Sequence, residues 1–173
     1  MRSLHDAFLS GFFRGYYRYT AFLNRLWPST QIDGKEFRVF PSVCKPLGNE
    51  QVLADYVPAD KNVLEIGCGS GIITLFLAAK SRQVTAVDIS PEAVENTRLN
   101  MAAYGVQNVS VHLGDAFESL DGRFDVVACN APWMEVDLKD PLRMWASSPT
   151  LVPSLLARSR EFLVDDGLLV ISC

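Results

Sequence analysis

Val63-Leu64-Glu65-Ile66-Gly67-Cys68-Gly69-Ser70-Gly71 is the stretch whose reading decides the fold. An apolar strand over 62–66 runs into three alternating glycines, and an apolar helix over 71–80 follows. Alternating glycines let the backbone turn tightly and approach a ligand closely. Asp88, 21 residues beyond Gly67, ends a second, β-branched strand over 83–88. A carboxylate at that strand end accepts hydrogen bonds from both hydroxyls of a ribose. Strand, turn, helix and spaced acid together point to an adenosine-type cofactor.

Outward from that turn the chain alternates. A helix over 91–104 has Ser90 as N-cap, Pro91 in its first turn and Gly105 as C-cap. Strands over 109–113 and 124–129, a helix over 151–163 and a strand over 167–172 complete the series. Apolar strands alternating with helices predict a parallel sheet covered on both faces, an α/β doubly wound fold with right-handed crossovers.

The chain has 173 residues, 49% apolar and 21% charged, at net charge −4. That is one domain's length, with too many apolar residues for a disordered or fibrous chain. The acidic balance argues against coating nucleic acid through bulk electrostatics but leaves room for a local basic groove. Cys44, Cys68, Cys129 and Cys173 stand far apart with no CxxC spacing, which suggests a reducing compartment, with neither a disulfide framework nor a metal site. The longest apolar run, Ile66 to Ala79, is too short to cross a bilayer. Asp6, Arg14 and Arg18 interrupt any secretory core, so the expectation is a soluble cytoplasmic protein with no membrane span.

Residues 1–30 carry Arg2, Arg14, Arg18 and Arg25 against Asp6, net +3, leaving −7 for the rest. On a wheel of about 100° per residue, Arg14, Arg18 and Arg25 fall within about 40° of one another. Leu4, Phe8, Phe12, Tyr16, Tyr19, Leu23 and Leu26 cluster on the far side, which predicts an amphipathic helix ending before Pro28. Gly11 and Gly15 each cost about 1 kcal/mol relative to Ala, so the helix is expected to hold only when docked. The plain reading is a cover helix with its arginines in water. A substrate-phosphate contact and a membrane-surface helix are the sharper readings. Residues 28–48 read as an irregular connector with one extended piece over 37–40, followed by a short helix over 49–57. The domain expectation is a helix and cofactor-covering connector over 1–48 and a core over 49–173.

Two details choose among adenosine cofactors. The glycines read GxGxG rather than the GxGxxG that seats a pyrophosphate. Glu65, two positions before the first glycine, is a poor neighbour for a diphosphate and a good one for a cation. S-adenosyl-L-methionine has an ammonium and a sulfonium and no phosphate. With Val87-Asp88-Ile89-Ser90, residues 63–71 resemble the class I S-adenosylmethionine-dependent methyltransferases. The resemblance implies a Rossmann-like fold with core strands in the order 3-2-1-4-5 and S-adenosyl-L-methionine as cofactor. It implies that Glu65, Gly67, Cys68, Gly69 and Gly71 surround the methionine moiety, with Asp88 at the ribose and Ile89 flanking the adenine ring. It also implies an acid at the adenine amino group. Gly114-Asp115-Ala116-Phe117 supplies Asp115, with Ala116 beside it and Phe117 read equally as a ring neighbour or as core. Asn96 and Asn100 fit the family pattern and read as structural.

The strand over 124–129 runs into Asn130-Ala131-Pro132-Trp133, at the carboxyl end where open α/β sheets bind ligands. This tetrapeptide resembles the (Asn/Asp)-Pro-Pro-(Tyr/Phe/Trp) signature of HemK/PrmC-like and nucleobase N-methyltransferases. Their target nitrogen is a poor nucleophile because its lone pair is delocalised. The resemblance implies that the Asn130 side-chain oxygen and the next backbone carbonyl accept its N–H bonds and aim the lone pair. It implies too that Trp133 stacks on the planar group while Pro132 fixes the backbone. Ala131 stands where the family usually has Pro, keeping the carbonyl and losing rigidity. The acceptor therefore stays open: a protein glutamine, an RNA or other nucleobase, or a small molecule. Val39-Phe40-Pro41 with 45–50 resembles the segment that closes over the cofactor in HemK-like enzymes, and 134–149 is expected to shape the acceptor pocket.

The expected function is methyl transfer to a nitrogen of a planar amide or amine. A cofactor-binding module without turnover and a nicotinamide-dependent oxidoreductase are the alternatives. The family's sheet usually has seven strands ending in an antiparallel hairpin, whereas five are counted here. Leu168 to Ile171 would then form an uncovered apolar edge. A fragment of a longer chain, a covering N-terminal helix, or a homodimer formed along that edge would each explain it.

Overall fold

The computed structural model describes residues 2–46, 48, 50–118, 120–132 and 148–172 of the chain. The expectations on Trp133 and on 134–147 lie outside the described residues.

Helix α1 spans Arg2–Leu26, and strands β1 (Ser29–Ile32) and β2 (Lys35–Arg38) follow. Next come α2 (Val52–Asp55), β3 (Asn62–Ile66), α3 (Ile72–Ala78), β4 (Gln83–Asp88) and α4 (Pro91–Ala103). β5 (Val109–Leu113), β6 (Phe124–Asn130), α5 (Leu151–Phe162) and β7 (Leu163–Ser172) complete the described elements. Five parallel strands form one sheet in the order β5-β4-β3-β6-β7, which is the expected 3-2-1-4-5. β7 is one of its two edges, and Leu168 there is half exposed.

Alternate residues of the central strands serve opposite faces, as a period of two requires. Val63, Val84, Val126 and Ala128 pack with Leu53, Val57, Ile73 and Leu77 on one side. Leu64, Ile66, Val87, Val127 and Cys129 pack with Phe117, Phe124 and Leu155 on the other. Fully buried Leu64, Leu77 and Leu155 each contribute about 1.5–3 kcal/mol by leaving water. Helix α4 starts as its sequence dictates, with the Ser90 hydroxyl accepting from Ala93 N and Pro91 in the first turn. Gly105 follows its end in the left-handed conformation.

Residues 29–38 are not irregular, whereas the described residues from 39 to 48 carry no helix or strand. β1 and β2 form an antiparallel hairpin around Asp33-Gly34, both at positive φ (49° and 72°). Asp-Gly between two short extended runs is the turn chemistry of a two-residue hairpin, a signal the connector reading overlooked. The hairpin buries Phe37 completely, with its ring centroid 5.8 Å from Tyr104 and 6.5 Å from Phe76. Asn96 and Asn100 fasten it to α4. Asn96 Oδ1 accepts from Phe40 N, and its Nδ2 donates to Arg38 O. Asn100 Oδ1 accepts from Arg38 N, and its Nδ2 donates to Arg38 O and Ser70 O.

Helix α1 forms as expected but docks by a different face. Phe13 and Asn24 are buried, whereas Phe8, Phe12, Tyr19, Phe22 and Leu26 are more than half exposed. Arg14, Arg18 and Arg25 are exposed on the neighbouring stripe. The docking is polar: Asn24 Nδ2 donates to Phe40 O (3.2 Å) and Val43 O (3.0 Å). Two loop carbonyls that need a donor thus override the apolar moment of the helix.

Replacing Asn100 by Ala removes a partner from Arg38 and Ser70 at once. The expected loss is about 2–4 kcal/mol in urea unfolding.

Candidate functional site

The parallel registers bring the ends of β3, β4 and β6 to one rim, with Ile66, Asp88 and Asn130 side by side. Gly67, Gly69 and Gly71 follow β3 at φ of 81°, 55° and 81°. At Gly67 and Gly69 an added Cβ would meet open space, so the backbone angle is what requires glycine. At Gly71 a Cβ would also lie 3.1 Å from Thr97, so close helix packing adds a second requirement.

The turn is bonded from outside. Gly67 N and Cys68 N both donate to Val87 O. Gly69 N donates to Asp88 Oδ2 and Ser90 N to Asp88 Oδ1, each at 2.9 Å. Thr97 Oγ1 donates to Gly69 O, and Asn100 Nδ2 to Ser70 O. Burial raises the Asp88 carboxyl, while the backbone N–H groups of Ser90, Gly69 and Ile89 pull it down.

One cleft opens at this rim. Gly67, Cys68, Gly69, Asp88, Ile89, Asp115, Ala116, Asn130 and Pro132 all line it. Glu65 and Gly71 stand behind the lining, and Phe117 lies in the core, stacked on Phe162 at 4.7 Å. Ala116 is held at φ 50°, a conformation that costs a non-glycine residue about 1 kcal/mol and is met at ligand sites. The cleft also takes Ser42, Val43, Cys44 and Glu50 from the segment above it, and Ser148 and Leu151 from the start of α5. Glu50 belongs to the 45–50 segment expected to close over the cofactor, and Ser148 to the 134–149 segment expected to shape the acceptor pocket; Ser42, Val43, Cys44 and Leu151 were singled out by neither.

Glu65 is 2% exposed, and neither carboxyl oxygen has a hydrogen bond among the described residues. Burial pushes it up to about 8; the Thr74 hydroxyl, close but outside hydrogen-bond geometry, opposes this, and Asp88 adds to it. Cys68 and Cys129 are buried thiols pushed upward by desolvation, Cys129 to about 12, so both stay neutral. No cluster of metal-ligating side chains exists among the described residues. No described helix is long and apolar enough to cross a membrane.

These features fit a nucleoside joined to a cation. An orphaned buried carboxyl stands behind an open glycine turn, and a second carboxylate ends the neighbouring strand. Nothing in the turn faces its ligand as a phosphate clamp with a Lys or Arg among the lining residues.

Comparison with known proteins gives a consistent result. A family profile described as a methyltransferase domain matches residues 63–148. The ribosomal RNA small subunit methyltransferase C of Enterobacter sp. (strain 638) is 33% identical over 125 residues, covering 66% of this chain and 36% of that protein. Its Salmonella gallinarum counterpart is 33% identical over 118 residues, covering 64% of this chain and 34% of that protein. The chain thus spans about a third of the length of these curated relatives. Among solved structures, precorrin 8w decarboxylase of Methanobacterium thermoautotrophicum superposes at a TM-score of 0.60 with 26% identity, over 78% of this chain and 68% of that one. An rRNA methylase from Streptococcus thermophilus shares the fold at a TM-score of 0.51 and 19% identity, over 73% of this chain and 71% of that one.

The buried acid sets a pH dependence. Glutamate ordinarily ionises at 4.5, and Glu65 keeps its proton to about 8 in the folded chain. Between those values the folded state holds a proton that the unfolded state releases, so stability falls as pH rises through the window. Urea unfolding of the ligand-free protein from about pH 5 to about pH 9 is expected to show that fall in the wild type and a flatter profile in Glu65→Gln.

Proposed function

We propose that the methyltransferase domain of this chain, of the class I S-adenosylmethionine-dependent kind, methylates a nitrogen on a planar group, with RNA as the acceptor class. The observation that carries the reading is that Asn130 and Pro132 line the same cleft as Gly67, Gly69 and Asp88. The RNA assignment is supported by the ribosomal RNA methyltransferases among its relatives and by the exposed arginines of α1.

S-adenosyl-L-methionine, when bound, supplies a methyl carbon on a sulfonium, a leaving group that needs no proton. The residues that would hold it are Gly67 and Gly69 with Glu65 behind them, Asp88 with Ile89, and Asp115 with Ala116. The chain's own part is then positional. Asn130 Oδ1 accepts an N–H of the acceptor nitrogen, which turns its lone pair toward the cleft. Pro132 has no N–H to compete for that contact and stiffens the loop. Trp133 is the stacking wall in this reading. Ile66, Val87 and Leu151 line the cleft with apolar surface that excludes water.

Helix α1 is the proposed RNA contact. Its three exposed arginines form no ion pair among the described residues and lie beside exposed aromatic rings. Asn24 bonds this helix to Val43, which lines the cleft. Arginine to phosphate and aromatic ring to unpaired base are the contacts such a surface makes.

The test is transfer of a radiolabelled methyl group to ribosomal RNA, to total protein and to the small-molecule fraction of a lysate. Label is expected in RNA, and its absence there with label in another fraction would move the acceptor. Asn130→Ala is expected to lower turnover about 100-fold with cofactor affinity unchanged. Reversing Arg14, Arg18 and Arg25 to Glu is expected to weaken RNA binding and flatten its salt dependence, leaving cofactor binding intact.

A further inference from the structure

We propose that Ser172 is the positioning residue for Asn130, and that it restores the rigidity lost where Ala131 stands in place of proline. The inference rests on the role given to Asn130 above. In the β6–β7 ladder Asn130 is registered directly against Ser172. Two hydrogen bonds join them across the rim of the cleft. Ser172 Oγ donates to Asn130 Oδ1 at 2.7 Å, and Ala131 N donates to Ser172 O at 2.8 Å.

The second bond exists because residue 131 is not proline. Proline has no N–H, so the ladder would stop at Asn130. Alanine carries the pairing one residue further, and Ala131 is 5% exposed with its side chain in the core. The backbone after Asn130 is therefore held by pairing to β7 instead of by a pyrrolidine ring.

The first bond acts on the side chain. Asn130 is exposed at the rim, where an amide otherwise turns between rotamers and exchanges the places of its oxygen and nitrogen. A hydroxyl donating to Oδ1 names that atom as the acceptor and fixes the amide plane. The carbonyl oxygen has two lone pairs, so the one not taken by Ser172 stays available for an acceptor N–H. Ser172 itself is absent from the cleft lining. Its action runs through Asn130, by geometry alone.

The clamp can be read with and without turnover. In 15N-labelled protein the Asn130 side-chain amide, assigned by its loss in Asn130→Asp, is expected to be rigid in the wild type and in Ser172→Thr. In Ser172→Ala it is expected to become mobile, while calorimetric affinity for S-adenosyl-L-methionine stays within twofold. In the RNA methylation assay Ser172→Ala is expected to lose about tenfold or more in kcat with the cofactor KM unchanged, and Ser172→Thr to recover most of it. An equally ordered Asn130 amide in Ser172→Ala overturns the inference, as does a threonine variant that behaves like alanine. Failure of the wild type to methylate any RNA would remove the acceptor reading instead, and the amide measurement would still decide the clamp.

Discussion

Everything at the rim hangs on the Asp88 carboxylate. Its two oxygens accept from Gly69 N in the turn after β3 and from Ser90 N at the start of α4. One side chain therefore ties the glycine turn, the end of β4 and the N-terminus of α4 into one rigid unit. Asp88 also lines the cleft, so in the proposed reading fastening and ribose recognition fall on one group. A carboxylate can do both because it has about four acceptor positions and the backbone N–H groups do not use them all.

A second layer of bonds carries that rigidity away from the sheet. Asn100 holds Ser70 in the turn and Arg38 in the hairpin, and Asn96 holds Arg38 and Phe40. Asn24 of α1 then takes the carbonyls of Phe40 and Val43. Three buried amides thus connect cofactor turn, hairpin, cleft wall and N-terminal helix in series. Each amide meets backbone groups that would otherwise be buried without partners, which makes these contacts costly to lose.

The helix so attached faces outward with its aromatic stripe. Phe8, Phe12, Tyr19, Phe22 and Leu26 are all exposed along it. In the proposed reading, the three arginines beside it meet phosphate and the rings meet unpaired bases. Asn24 ties the helix to Val43 in the cleft wall, so that reading keeps recognition and chemistry on one connected body.

The doubly wound sheet and its strand order were legible in the sequence because apolar periodicity and the strand–glycine–helix punctuation are local signals. The family and its cofactor were legible for the same reason: Glu65, three glycines and Asp88 lie within 24 residues of one another. The Asp33-Gly34 hairpin was equally local and was passed over among neighbouring prolines and glycines. What no local pattern holds is the pairing of groups far apart along the chain. The burial of Glu65 with no hydrogen bond among the described residues, the docking of α1 through Asn24 and the bond from Ser172 to Asn130 each depend on how the sheet stacks and where the strands register. A side chain's type is written in the sequence, but the partner that satisfies a buried polar group is chosen only when the chain closes around it.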